Sequence, residues 1–222
     1  MLAAAFSPCA AGEVHGYVTA GTDYVFRGIS QSNEEPSLQA GLDYAHAGGF
    51  FVGLFAALID YPAIPMRPDT GDVELDVYAG FSRPAGRDFA WDVALIHYQF
   101  PESEAEDDDY QELGFNLHYR DAARLGFTVA DDARTRDATA WTAELELRRP
   151  LGERLQLSGT LGHYAFGGGD WRDYLYWDFG VSATAGSLTF DLRYFDTSSE
   201  AETVAGPDLT AGRVVVSASI GF

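Results

Sequence analysis

Apolar and polar residues alternate along most of the sequence, with a period of two residues. In the last segment Val214, Val216 and Ala218 alternate with mostly small or polar residues, and 73–81 and 188–194 show the same pattern. This period gives a β-strand one apolar and one polar face, and no window of similar length has the 3.6-residue period of a helix. We therefore predict twelve strands, at residues 14–26, 37–46, 50–61, 72–82, 88–98, 110–119, 123–131, 138–149, 154–164, 174–183, 187–196 and 213–222.

The predicted connections alternate between short and long. Short turns are expected at 47–49, 83–87, 120–122, 150–153 and 184–186, and longer, mostly polar loops at 27–36, 62–71, 99–109, 132–137, 165–173 and 197–212. Strands of about ten residues, tilted near 40°, rise about 25 Å, which matches the apolar band of an outer membrane. The pattern predicts an all-β fold: a closed antiparallel transmembrane β-barrel of about 12 strands, with short periplasmic turns and longer extracellular loops.

A soluble barrel with its apolar face inward would show the same period. The choice between a soluble and a membrane barrel therefore depends on the residue types of the two faces. The polar face carries Gly, Ser, Thr and carboxylates, which suit a wet lumen, and the apolar face carries residues that suit lipid. Because an unpaired strand edge is costly in lipid, the first and last strands are expected to pair. Aromatic residues near strand ends are typical of interfacial girdles. They are Tyr24, Phe26, Tyr44, Phe81, Phe89, Trp91, Tyr119, Trp141, Tyr194 and Phe222.

The first 11 residues, MLAAAFSPCAA, differ from the rest of the chain. They are small and apolar, and Cys9-Ala10-Ala11 is suited to precede a signal-peptidase cut before Gly12. The stretch lacks a basic region, so we expect the signal to begin upstream of it. We predict a signal peptide at 1–11 and a single outer-membrane β-barrel domain at 12–222; the alternative for 1–11 is a frayed tail.

Composition removes several classes of function. The 222 residues include 34 Asp and Glu against 14 basic residues, all of them Arg, and the net charge is −20. Such a chain repels nucleic-acid phosphate, so no nucleic-acid partner is expected. No apolar stretch of about 18–20 residues is present, which argues against a multi-helix membrane protein. With a single cysteine, neither a disulfide framework nor a Cys-based zinc site is expected.

Two stretches carry a resemblance to known proteins. Residues 23–32 read DYVFRGISQS, followed by Pro36, Gln39 and Gly41, and residues 74–81 read ELDVYAGF. This pattern resembles the TorF family of proteobacterial porins, and the resemblance implies an outer-membrane barrel. The C-terminal strand, with Ile220 and Phe222, is similar to the terminal strand that the outer-membrane assembly machinery reads.

The polar face of the predicted strands is rich in acids. Assigned to the lumen, it holds ten acids against three arginines. The predicted pore-lining residues are Asp23, Asp43, Glu74, Asp76, Asp92, Glu112, Arg124, Glu144, Glu146, Arg148, Asp178, Asp191 and Arg193. An acidic, water-filled passage concentrates cations and repels anions. The pattern predicts a cation-preferring pore; the alternative is that these charges pair with one another and fill a closed barrel.

Other candidate sites lie in the loops. Arg27 is expected either to clamp a lumen carboxylate and fold its loop inward as a gate, or to anchor a tight loop in which Gly28 supplies unusual dihedral angles. Residues 102–109 include six acids, whose oxygens suit Ca²⁺ or Mg²⁺, but the spacing favours a solvated loop. His97 and His163 lie near loops, and we place them on the lipid-facing side. No metal site, cofactor or catalytic motif is predicted.

These observations predict a porin-like channel of the bacterial outer membrane for passive diffusion of small hydrophilic solutes. The expected partners are the outer-membrane lipid bilayer, the assembly machinery and those solutes. One alternative is a plugged structural barrel whose loops bind a partner at the cell surface. A lipid-modifying enzyme with its site at the rim is less favoured, and we expect no enzymatic activity.

Overall fold

A closed antiparallel barrel of twelve strands makes up most of the protein. The structure, a computed structural model, describes residues 12–61, 71–101, 103, 109–131, 139–168 and 171–222. Its barrel strands are β1 (Glu13–Gly21), β4 (Ser37–Ala45), β5 (Phe50–Leu58), β6 (Val73–Ala85), β7 (Phe89–Gln99), β8 (Tyr110–Tyr119), β9 (Ala123–Asp131), β10 (Ala140–Leu151), β11 (Leu155–Phe166), β12 (Tyr174–Ala185), β13 (Leu188–Thr197) and β14 (Arg213–Gly221). β1 pairs with both β4 and β14, so the predicted closure of the barrel is confirmed. The proposed signal segment, 1–11, lies outside the described residues.

The strand connections alternate in length, as predicted. Short connections of two to four residues join β4 to β5, β6 to β7, β8 to β9, β10 to β11 and β12 to β13. The other connections between barrel strands contain 7 to 15 residues. The short connections, the start of β1 and the finish of β14 lie at one end of the barrel, which we call the turn end. The long connections form the opposite end, the loop end.

The two faces of the barrel wall differ in polarity as predicted. On β6, Leu75 and Val77 point outward and are exposed, whereas Glu74, Asp76 and Tyr78 point inward and are buried. Exposed Leu, Val and Phe side chains recur at the outward positions of the other barrel strands. A soluble barrel would have the opposite arrangement, so this outer surface fits contact with lipid.

The first strand is shorter than predicted. β1 ends at Gly21, and the chain then turns into the barrel and forms a small hairpin from β2 (Val25–Phe26) and β3 (Ile29–Ser30). Tyr24 is therefore not a girdle residue: it is 4% exposed and packs on Phe55, with ring centroids 6.0 Å apart. Phe26 likewise packs against the interior cluster. The prediction was wrong here because a hairpin keeps the same alternation as the strand that leads into it.

The last long connection contains helical structure, which the sequence pattern did not predict. A 3₁₀ turn (Ser199–Ala201) leads into α1 (Glu202–Thr210), which is kinked at Gly206. Val204 and Leu209 are buried, and α1 contacts β3 of the inward hairpin. No helix in the described part of the chain is long and apolar enough to cross a membrane.

The hydrophobic core lies inside the barrel, towards the loop end. Rings from four barrel strands stack there in pairs: Tyr98 with Tyr110 at 4.4 Å, and Tyr164 with Tyr174 at 5.6 Å between centroids. The hairpin adds Tyr24 and Ile29 to the same cluster, and α1 adds its buried face. The interior at the loop end is therefore packed with side chains.

Candidate functional site

The inward hairpin turns on two residues, Arg27 and Gly28. Their φ angles are +49° and +81°. Two successive positive φ angles define the type I′ turn that favours tight two-residue hairpins, and glycine adopts such an angle without steric cost. A Cβ at Gly28 would lie 2.4 Å from Cγ2 of Thr197 and 2.8 Å from Cβ of Tyr176. The tip of the hairpin therefore rests directly on the barrel wall, and only glycine fits at this position.

Asp23 holds the base of the hairpin. It accepts hydrogen bonds from the hydroxyls of Ser30 at 2.7 Å and Ser32 at 2.9 Å. Arg213, the first residue of β14, donates to its other oxygen at 3.1 Å. The carboxylate was predicted to lie on the wall of the first strand, but it belongs to the inward loop. It fastens that loop to the last strand of the barrel.

Arg27 crosses the interior and binds Glu112 on β8. Its two terminal nitrogens donate to the two carboxylate oxygens at 2.5 and 2.7 Å, and one also donates to the hydroxyl of Thr128 at 3.2 Å. The side chains of Arg27 and Glu112 are 8% and 1% exposed. The guanidinium carbon also lies 4.6 Å from the ring centre of Phe26 and 5.1 Å from that of Tyr164. A bidentate, buried pair with this geometry is a strong and specific contact.

All the predicted pore-lining side chains lie on the inner side of the barrel. On the wall that carries β9 and β10 they form a charge network. Arg124 donates to Glu144 at 2.9 Å, to Glu146 at 3.1 Å and to the amide oxygen of Asn116 at 2.9 Å. Arg148 donates twice to Glu146, both times at 2.7 Å. These charges compensate one another almost completely.

A second charge network lies on β11 to β13. Arg193 donates to Asp178, to Asp191 at 3.1 Å and to the hydroxyl of Ser158 at 2.7 Å. Both carboxylates are mostly buried, as is the guanidinium. Arg193 therefore serves several partners, as Arg124 does in the first network.

The opposite wall, formed by β4 to β7, has acids without arginine partners. Asp43 accepts a hydrogen bond from Tyr78, and Asp92 is bonded to His118 at 2.6 Å and to Asn116 at 2.9 Å. Within the described chain, no arginine pairs with Asp43, Asp76 or Asp92. The interior is therefore asymmetric: arginines offset most of the acidic charge on β9 to β13, whereas none pairs with these three acids on the opposite wall.

A three-strand unit of tyrosine, glycine and acid occurs twice on the inner wall. Tyr176 of β12 lies across Gly162 of β11 and donates to Glu144 of β10 at 2.6 Å. Tyr78 of β6 lies across Gly53 of β5 and donates to Asp43 of β4. The missing side chain of each glycine lets the ring lie along the wall and reach the second strand away.

Replacing Gly162 with alanine is expected to disrupt this unit. The new Cβ would lie 2.1 Å from Cζ of Tyr176, so the ring has to leave its place and Glu144 loses a donor. We expect a loss of about 1–3 kcal/mol in stability, which is typical of overpacking. Urea unfolding of the protein refolded in lipid vesicles measures this loss. Gly114→Ala is the matched control, because the nearest atom to its Cβ would be 3.7 Å away; equal midpoints for both variants would contradict the prediction.

A central cavity of about 190 Å³ lies beneath the hairpin, between the two walls. Asp76 and Asp92 line it on one side, and Arg124 and Glu144 line it on the other. Tyr24 and Phe26 of the hairpin cover it towards the loop end. The cavity therefore offers charged groups of both signs and several aromatic rings to a small molecule.

The family of the protein follows from its sequence. A family model described as "Bacterial protein of unknown function (Gcw_chp)" matches residues 5–222. The chain belongs to the Gcw_chp family. No curated protein matches the sequence. The narrower resemblance to the TorF family is not confirmed and stays a prediction.

Solved outer-membrane proteins share the fold of this Gcw_chp protein. The KdgM porin has a TM-score of 0.58 at 8% identity, with 94% of this chain and 99% of that chain covered. The NanC porin has a TM-score of 0.58 at 7% identity, covering 93% and 98%. The COG4313 outer membrane channel from Pseudomonas putida has a TM-score of 0.52 at 13% identity, covering 99% and 98%. At these identities the similarity shows the fold alone, that of a channel-like barrel.

Among the described residues of the Gcw_chp barrel, sequence reasoning missed the interior cation Arg213 and the tyrosine donors of the two three-strand units. Arg213 begins β14 at the loop end, and its partner Asp23 is 190 residues away along the chain. Tyr78 and Tyr176 occupy inward positions directly opposite glycines, so a search for this cross-strand pairing would have found them. Such a search requires the strand register, which the sequence pattern gives only to within a few residues.

The other sites considered for the Gcw_chp chain are the acidic segment 102–109, a metal site and the two histidines near the loops. The acidic segment 102–109 lies outside the described residues except for Ser103 and Asp109. Within the described ranges, no group of three or more His, Cys, Asp or Glu is placed to hold a metal ion. His163 is exposed on the outer face. His97 lies between the inward residues Ile96 and Tyr98, so the alternation places it on the outer face as well.

The C-terminal residues of the Gcw_chp barrel lie at the seam between its first and last strands. Ile220 and Phe222, the proposed assembly signal, are exposed. The backbone of Phe222 bonds that of Gly16 at 2.8 and 2.9 Å. These contacts contribute to closure of the barrel, and recognition by the assembly machinery stays a prediction.

Proposed function

We propose that this protein is a bacterial outer-membrane channel for passive diffusion of small hydrophilic solutes. It prefers cations, and the β2–β3 hairpin sets how far it opens. The similarity to outer-membrane porins and the apolar outer surface support this location, with the turn end in the periplasm.

The charge balance of the interior carries the proposal. The ten predicted acids lie inside the barrel, together with five arginines among the described residues, at positions 27, 124, 148, 193 and 213. Most of the surplus negative charge lies on the β4 to β7 wall, next to the cavity, and the rest lies where Asp178 and Asp191 share Arg193. A low-dielectric wall concentrates this field, so cations accumulate inside and anions are repelled.

The first test is the conductance of the refolded protein in a planar bilayer under a KCl gradient. We expect a small conductance, because the hairpin fills the loop end, and a reversal potential that indicates preference for K⁺ over Cl⁻. Asp92→Asn should reduce this preference, whereas Asp121→Asn, an equal charge change in an exposed turn, should not. The preference should also fall as salt rises, because the Debye length shrinks from about 10 Å at 0.1 M to about 3 Å at 1 M.

The packed loop end favours one alternative, a plugged barrel that binds a partner through its loops. That alternative predicts silence from wild-type protein that is shown to be inserted, and continued silence when the hairpin is released. A preference for Cl⁻ would contradict the proposed selectivity. Lipid turnover that a histidine substitution abolishes would instead indicate an enzyme at the rim.

A further inference from the structure

One carboxylate oxygen in the interior lacks a hydrogen-bond donor. Asp76 is 3% exposed and lines the central cavity, yet its Oδ1 atom has no partner among the residues that the structure describes. By contrast, Asp43 and Asp92 on the same wall have donors from Tyr78 and from His118 and Asn116. A buried carboxylate oxygen is costly unless it is bonded, so this atom is suited to receive a donor from a ligand.

Aromatic residues flank Asp76 on the inner wall and line the same cavity. Phe55 of β5 and Tyr98 of β7 are the register partners of Asp76 on either side. Phe26 packs on Tyr98 with ring centroids 6.3 Å apart, so the hairpin supplies a further ring above the same place. An acceptor set among aromatic faces attracts a cation that has an apolar body, because ring faces and carboxylate are both negative.

We propose that Asp76, with Phe55 and Tyr98 beside it, forms a binding subsite for the primary ammonium group of a small alkylamine solute. The proposal rests on the proposed function as a channel for cations, and it names the class of cation that the channel retains. The ammonium donates one of its three N–H groups to Oδ1 of Asp76. Its alkyl chain lies against the rings and the cavity wall.

The site suits an ammonium better than a divalent metal ion. Ca²⁺ takes six to eight oxygen ligands and Mg²⁺ six, and no cluster of three or more candidate ligands occurs in the described part of the chain. The cavity volume of about 190 Å³ also limits the solute. It is below the roughly 300 Å³ at which pockets for drug-sized ligands begin, so only a small molecule fits.

Binding is tested by calorimetric titration of n-butylammonium chloride into the refolded protein in detergent, with empty micelles as the blank. The comparison compounds are n-butanol, which has the same chain and no charge, and NaCl at equal ionic strength. We expect saturable binding of butylammonium alone. This measurement needs no conduction, so a barrel that binds the amine but is silent in a bilayer would contradict only the proposed function.

Two variants locate the site. Asp76→Asn removes the charge at almost the same volume and should weaken butylammonium binding about 10- to 100-fold, the value of a hydrogen bond to a charged group. Phe55→Leu removes one ring face and should weaken it roughly two- to fivefold. Folding of each variant is checked by the heat-dependent gel shift and by circular dichroism.

A third variant tests whether the site or the summed charge binds the amine. Asp191→Asn removes the same charge from the opposite wall and should weaken binding much less than Asp76→Asn. Equal weakening by both would assign the effect to the overall field and overturn the subsite. Absence of saturable binding to folded wild-type protein, or equal binding of butanol, would overturn it as well.

Discussion

Replacing Arg27 with methionine should open the barrel. The variant leaves Glu112, 1% exposed, without its bidentate partner while the hairpin stays inside. Removing one member of a buried ion pair costs about 3–5 kcal/mol, and each 1.4 kcal/mol is a factor of ten. The equilibrium should therefore move towards a released hairpin by about 100-fold or more. Planar-bilayer recordings should show a clear increase in conductance over wild type.

The double variant Arg27→Met/Glu112→Met tests whether the increase in conductance comes from the unpaired Glu112 or from the changed shape of side chain 27. With both charges gone the interior holds no unpaired carboxylate at this point, so the conductance should return towards the wild-type value. Arg120→Met is the exposed control: Arg120 pairs with Asp88 at 3.0 Å in a turn, where such pairs contribute little. A conductance of Arg27→Met equal to wild type would show that the pair does not hold the hairpin closed.

Deleting residues 213–222 should abolish insertion. β14 pairs with β13 on one side and β1 on the other, so its loss leaves two strand edges with unpaired backbone groups. In lipid each such group costs several kcal/mol, and a barrel is stable there only when closed. The truncated chain should give no heat-dependent gel shift and should be digested by protease in the presence of vesicles.

The matched control for this deletion is Phe222→Ala. Phe222 is 75% exposed and bonds Gly16 through its backbone, which alanine retains. Refolding in vitro should therefore be close to wild type, whereas assembly in cells should fall if the residue is read as a signal. Protection of the truncated chain from protease would contradict the role of β14 in closure.

The sequence predicted the barrel where alternation continues without interruption. β13 and β14 begin and end within one residue of the predicted strands at 187–196 and 213–222. The inward positions of Asp76 and Glu144 also follow from the period of two. The inward hairpin was not predictable in this way, because its two short strands continue the alternation of β1.

The contacts of the site depend on register rather than on local pattern. Arg27 and Glu112 are 85 residues apart, and only the closed barrel brings them within 2.5 Å. For Arg27 the sequence left two roles open, a clamp and an anchor, and the geometry combines a clamp on Glu112 with a tight turn at Gly28. The helix α1 was also missed, because Gly206 and Pro207 interrupt it and such a pair is typical of a loop.

The bond between Asp23 and Arg213 links the hairpin to the completion of the barrel. Asp23 follows β1, the first strand to be synthesised, and Arg213 begins β14, the last. The hairpin therefore gains its full set of contacts only after the final strand has taken its place. Complete docking of the hairpin therefore depends on closure of the barrel as well as on the Arg27–Glu112 pair.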